Sequence, residues 1–115
     1  MKNKIILLGK PQSTNNLYRR HGHIIYMTAQ GKELKESYLG QAIKQWKLGT
    51  TGEELEIEID LYFNNKLRRD IDNFFKIVLD SLTGIVWEDD SQIVKMTVTK
   101  NIDKNNPRIE IKIIL

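Results

Sequence analysis

The segment Arg68-Arg69-Asp70-Ile71-Asp72-Asn73 sets two carboxylates two residues apart, directly after two guanidinium groups. In extended backbone alternate side chains share a side, so Asp70 and Asp72 can converge. Two carboxylates held close repel each other unless a cation lies between them, and hard divalent cations take oxygen ligands at short range. A structural account competes: either aspartate can cap the following helix and complement its dipole. One capping aspartate suffices for a helix, which leaves the second without a role.

A second acidic run, Glu88-Asp89-Asp90, lies downstream and by itself reads as a solvated loop. It meets the first if the strand starting near Gln92 lies antiparallel beside the strand ending near Phe63. That pairing is adopted as the expectation. Lys76 follows Asp72 by four residues. Its ammonium either offsets charge on a phosphate, or forms an ordinary Asp-to-Lys helix pair worth about 0.3–0.5 kcal/mol. Asp80, four residues further on, extends that pair network.

Tyr18-Arg19-Arg20-His21-Gly22-His23 is a basic turn with an aromatic at its edge. Arginine grips phosphate with paired donors and tyrosine can stack on a base, although a solvated hairpin has the same composition. Asn15 and Asn16 either bond phosphate or groove edges, or cap a turn. Trp46 and Trp87 read as core.

These groups need a scaffold. Lys4–Leu8 reads as a buried strand, residues 11–16 as a loop, and Ile24–Tyr26 as a short strand. Leu34, Tyr38, Ala42 and Trp46 make one stripe at helical period, after a Thr28 cap and before Gly49. Leu55, Ile57, Ile59 and Leu61 alternate with acids, as a strand with one wet face does. Residues 71–83 read as a second helix with Asp72, Lys76 and Asp80 on one polar face. The alternating runs 94–99 and 109–113 flank a turn-rich stretch and read as a hairpin. The expected fold is α+β: strand, helix, strand, helix, strand, strand, with two helices on one face of a single small sheet, all in one domain over residues 1–115.

Composition narrows the function. The chain has 115 residues and no cysteine, which excludes disulfides, thiolate zinc sites and cysteine nucleophiles. The N-terminal apolar run, Ile5 to Leu8, is too short for a signal-peptide core or a membrane span, so a cytoplasmic, soluble protein is expected. Net charge is +3, unevenly placed: residues 1–49 carry nine Lys/Arg against two carboxylates, residues 50–115 nine against thirteen. A basic half beside a carboxylate-rich half suits a polyanion bound over a metal.

Taken together, the motifs resemble the RusA family of Holliday junction resolvases, over nearly the whole chain. The matching stretches are Pro11-Gln-Ser-Thr-Asn-Asn-Leu-Tyr-Arg, Arg69-Asp70-Ile-Asp72-Asn73-Phe-Phe-Lys76, Asp80-Ser-Leu-Thr, Trp87-Glu-Asp89-Asp90-Ser-Gln92 and the strand Ile109–Ile113. The resemblance implies a homodimer that binds four-way DNA junctions and nicks two opposed strands in recombination and repair. It implies dependence on magnesium, with manganese as a possible substitute, and no organic cofactor. It also implies Asp70, Asp72 and Asp90 as the essential metal-binding acids, with Lys76 as the family lysine and Asp89 as a neighbour. Arg19, Arg20, Arg68 and Arg69 are the expected backbone contacts, with Asn15, Asn16 and Tyr18 beside them. Two alternatives stand: a metal nuclease for flaps or forks, and a non-catalytic DNA-binding module whose acids only cap and solubilise.

Overall fold

The computed structural model describes residues 3–115. Strand β4, Leu55–Phe63, is its axis. The residues of β4 alternate strictly, with Leu55, Ile57, Ile59, Leu61 and Phe63 all at most 3% exposed. Fully burying each such side chain contributes roughly 1.5–3 kcal/mol. Around it the order is β1 (Lys4–Leu8), α1 (Thr14–Leu17), β2 (Tyr18–His21), β3 (Ile24–Met27), α2 (Ala29–Gln45), then β4, α3 (Lys76–Leu82), β5 (Ile93–Ile102) and β6 (Arg108–Ile114). The α+β class is as expected. One main sheet runs β1-β6-β4-β5, and β2 and β3 form a separate two-stranded sheet.

Helix α2 starts where Thr28 accepts a hydrogen bond from the Gly31 N–H and ends at Trp46, which caps its C-terminus. Tyr38, Ala42 and Trp46 sit in the core as the stripe predicts, while Ile43 is exposed. Gly31 has no substitute here, because a Cβ would collide with the Leu17 carbonyl at the end of α1. Both indoles are buried and bonded: Trp46 Nε1 donates to the Gly49 carbonyl at 2.8 Å, and Trp87 Nε1 to Thr83 Oγ1 at 2.9 Å.

Several expectations fail. Residues 94–99 and 109–113 do not form a hairpin; β4 lies between β5 and β6, and β6 pairs with both β1 and β4. Burial explains the order, since Ile109, Ile111 and Ile113 fill a central strand while Val94 is 59% exposed at the edge. Strands β4 and β5 are parallel, with Leu55 opposite Ile93 and Phe63 opposite Ile102. The long connection of residues 64–92, which carries α3, permits the crossover that a parallel pair needs. The helix expected over 71–83 is broken into a 3₁₀ turn at Ile71–Asn73 and α3. Phe74 leaves helical geometry (φ −128°, ψ 0°) and packs edge-on against Phe63, ring centres 5.1 Å apart. Lastly, residues 14–17 form a short helix capped by Ser13, inside a stretch expected to be loop.

The two edges of the main sheet differ. Along β1, Gln45 accepts from the Ile6 N–H (2.8 Å) and donates to its carbonyl (2.7 Å), and Gln41 accepts from the Leu8 N–H (2.8 Å). Side chains of α2 thus take the place of a neighbouring strand. The outer edge of β5 has no such cover among the described residues.

Candidate active site

The segment after β4 is built around Arg69. Its guanidinium lies 4.2 Å from the Phe63 ring centre and donates to the Asn65 carbonyl (3.1 Å), the Leu67 carbonyl (3.1 Å) and Asn65 Oδ1 (2.7 Å). Lys100 Nζ on β5 holds the Arg69 carbonyl at 2.8 Å. Most of the donors of Arg69 are therefore spent on the loop, whereas Arg68 is exposed and forms no ion pair among the described residues. Of the two arginines in this segment, among the four expected at phosphate, Arg68 is the one left free of such bonds among the described residues.

Asp70 follows in extended conformation (φ −92°, ψ 127°) and precedes the 3₁₀ turn, but its side chain makes no capping bond. The capping account of Asp70 thus lacks its defining hydrogen bond. Asp72 lies exposed within the turn. Neither carboxylate enters an ion pair among the described residues. Asp70 lines a cleft of about 420 Å³ with Ser13, Arg68, Arg69, Asn73 and Phe74. Thr14 ties α1 to this wall by donating to the Asn73 carbonyl at 2.8 Å.

The break at Phe74 means that Asp72 and Lys76 do not share one continuous helix face. Lys76 pairs instead with Asp80, at 3.4 Å, as the pair network predicts, and its Nζ lies 4.9 Å from the Tyr18 ring centre. The Tyr18 hydroxyl donates to Asp80. Burial, and then the bond to Asp80, push the Tyr18 phenol well above its ordinary pKa, so it stays protonated and remains a donor. The Tyr18 ring is half-buried and carries the lysine. Asn15 and Asn16 are exposed on α1, and the Asn16 carbonyl accepts from Thr28 Oγ1 at 2.9 Å. Arg19 and Arg20 lie exposed on β2.

The second acidic run divides its labour. Asp89 caps a 3₁₀ turn at Asp90–Gln92, accepting from the Ser91 N–H at 2.9 Å. The Ser91 backbone N–H, and next its hydroxyl, hold the Asp89 carboxyl below the usual range. Gln92 Oε1 accepts from the Glu88 and Asp89 N–H groups (2.9 and 2.8 Å). Gln92 Nε2 donates to the Thr51 and Glu53 carbonyls (2.9 and 2.8 Å). The Asp90 carboxylate is exposed and enters no ion pair among the described residues. It shares a cleft of about 290 Å³ with Lys35, Asp80, Thr83, Glu88 and Asp89. Sequence reasoning assigned no role to Gln92 or Lys100, and no periodicity marks either.

Parallel pairing puts the two acidic loops at opposite ends of β5. Asp90 precedes Ile93, while Arg69 is held at the level of Lys100; seven residues of strand between them rise about 23 Å. No group of three His, Cys, Asp or Glu able to hold a metal occurs among the described residues. The expectation that one copy of the chain gathers Asp70, Asp72 and Asp90 is therefore corrected. As donors, the three suit a hard divalent cation. Their positions in one copy supply two of them at one place and the third elsewhere.

Comparison with known proteins agrees with the motif pattern. The family model described as Endodeoxyribonuclease RusA matches residues 9–114. The chain is 33% identical over 109 residues to the crossover junction endodeoxyribonuclease rusA of Enterobacteria phage HK97, covering 93% of this chain and 90% of that protein. It is 30% identical over 110 residues to the RusA of Escherichia coli strain K12 and to the rusA of Enterobacteria phage 82, covering 94% of this chain and 91% of each. Between the matched motifs and the arrangement of the strands and loops that carry them, the chain belongs to the RusA endodeoxyribonuclease family.

Proposed function

We propose that this chain is a magnesium-dependent endonuclease, acting as a homodimer in the cytoplasm, that resolves four-way DNA junctions by paired symmetric nicks. The whole chain, residues 1–115, serves as one catalytic domain. The observation that carries this reading is the state of Asp70, Asp72 and Asp90. All three are exposed carboxylates without an ion-pair partner among the described residues, in a chain of the RusA family. Among the described residues no helix is long and apolar enough to cross a membrane.

The separation of Asp90 from the pair gives the homodimer a chemical purpose. A two-fold axis through the open edge of β5 makes the two edges antiparallel and exchanges their ends. Asp90 of one copy then approaches the Arg69–Asp72 segment of the other. Asp70 and Asp72 of one copy, with Asp90 of its mate, would hold the cation. Bound there, magnesium supplies a Lewis acid and lowers the pKa of a coordinated water. Lys76 lies one turn beyond the acids and offsets charge building on the phosphate. Arg68, Arg19 and Arg20 grip backbone phosphates, and any base preference at the cut comes from groove contacts. A junction has approximate two-fold symmetry, so a symmetric dimer offers two matched sites.

Incubating an end-labelled synthetic junction, a flap and a plain duplex with magnesium and mapping the products tests the activity. Paired nicks in the junction alone are expected; equal cutting of flaps points to a general branched-DNA nuclease, and no nicking to a binding module. Mixing two inactive variants tests the shared site. In a heterodimer of Asp70→Asn with Asp90→Asn, one site carries both changes and the other carries neither. Single-strand nicking should therefore return. If each copy held a complete site, the mixture would stay dead, and the two-copy site would be refuted.

A further inference from the structure

The β2–β3 hairpin has no assigned work beyond its two arginines, yet its surface is unusual. Ile24, Ile25 and Tyr26 are 65%, 56% and 50% exposed, three consecutive large apolar side chains on one short strand. A lone two-stranded ribbon gains little stability by itself, so such a surface is unexplained by folding. The register sets each of them beside a polar cationic or imidazole group: Arg19 opposite Tyr26, Arg20 opposite Ile25, His21 opposite Ile24. The turn between is two residues long, with Gly22 at φ +62°, the conformation a type II′ hairpin asks of its first position.

From these observations, and resting on the reading that the substrate is branched DNA, we propose that the hairpin is a wedge that enters the branch point and unstacks the bases there. Charge selects DNA over protein as the occupant. No carboxylate occurs before Glu33, so nothing on the hairpin repels phosphate. Two hairpins of two copies face to face would set arginine against arginine. Intact duplex offers apolar surface only as base faces, and these are closed by stacking except where the stack is interrupted. Isoleucine is among the side chains that part base steps, and an aromatic under an exposed base is worth about 1–3 kcal/mol.

The hairpin is also fixed relative to the site. Its first residue, Tyr18, bonds Asp80 and carries Lys76 over its ring. At the other strand's end, the Thr28 N–H donates to the Leu17 carbonyl at 2.9 Å. A wedge anchored this way sets the distance from the branch point to the phosphate that Lys76 faces, and so sets the cut position.

The test uses the full-length protein without magnesium and a junction carrying 2-aminopurine at the branch. Saturating wild-type protein should raise the fluorescence severalfold. The variant Ile24→Ser/Ile25→Ser/Tyr26→Ser should lose most of that rise and about tenfold in junction affinity, while duplex affinity stays within twofold. With magnesium, its cuts should scatter along the arm. Ile25→Ser alone, at an exposed position, should show the same loss in part if the triple variant folds poorly. An undiminished rise in the triple variant, or no rise with wild type, overturns the wedge. Conversion of the dimer to monomer by the triple variant also overturns it, because the surface then serves a second copy. If wild type shows no preference for junction over duplex, the branched-DNA reading itself fails, a result distinct from loss of the rise alone.

Discussion

Gln92→Ala should free the loop that presents Asp90. The side chain makes four hydrogen bonds of 2.8–2.9 Å, two accepted from Glu88 and Asp89 and two donated to Thr51 and Glu53. A typical intramolecular hydrogen bond contributes about 1 kcal/mol net, and partial exposure lets water replace part of it. Half of the sum, about 2 kcal/mol, is the expected loss. For a chain of this length that lowers Tm by roughly 8 °C. Cleavage should fall at least tenfold, because the acid is no longer held, while junction affinity stays within about threefold. Gln92→Glu separates the two halves of the role. It keeps the acceptor for the two N–H groups but turns a carboxylate toward two carbonyls, so it should recover little stability. Calorimetry and single-turnover cleavage on the same preparations read both effects. A Tm within 2 °C of wild type together with undiminished cleavage by Gln92→Ala would refute the reasoning.

Two further substitutions probe the scaffold. The Tyr38 hydroxyl is buried without a hydrogen-bond partner, and burial pushes its pKa up to about 12, so Tyr38→Phe should be stabilising by about 1 kcal/mol in urea denaturation. Glu110 accepts from Lys4 and from Arg108, and the Lys4 bond leads the causes that hold its carboxyl below the usual range. Its folded-state pKa is depressed, so its contribution is present above the unfolded value of about 4.3 and disappears as pH falls through the folded one. The gap in Tm between wild type and Glu110→Gln should be widest above about pH 5 and close on acidification; a gap independent of pH would contradict the assignment.

Local structure was legible where one residue period dominates. The alternation of β4 and the Leu34–Trp46 stripe translate directly into buried faces, because burial is decided by which side of a strand or helix a residue occupies. Strand order was not legible, because neighbours are chosen by how several apolar faces fit together. The stretch Asp103–Pro107 has hairpin composition, yet it crosses the end of β4, where the Asp103 N–H donates to the Phe63 carbonyl at 2.8 Å. One signal was available: a connection as long as residues 64–92, with a helix in it, favours a parallel crossover over a turn. The break at Phe74 left no such signal, since a phenylalanine fits a helix face as readily as it fits the edge of another ring. Of the candidate site, the acids were legible as types and spacing, and their distance apart was not.

That distance bears on mechanism because each loop is locked on its own scaffold. The Asp70 segment is tied by Lys100 to the far end of β5 and by Thr14 to α1. The Asp90 turn is tied by Gln92 to the carbonyls of Thr51 and Glu53, at the near end of β4. Closing that gap within one copy would require breaking both sets of bonds and sliding α3, whose Ile77, Val78 and Leu82 are buried in the core. Bringing a second copy to the open edge of β5 breaks none of them. Sharing the acids also ties nuclease activity to pairing. A lone chain would carry an incomplete donor set and would not nick DNA, so activity per chain should fall with dilution through the dimer dissociation constant, and activity that is strictly proportional to concentration across that range would argue against a shared site.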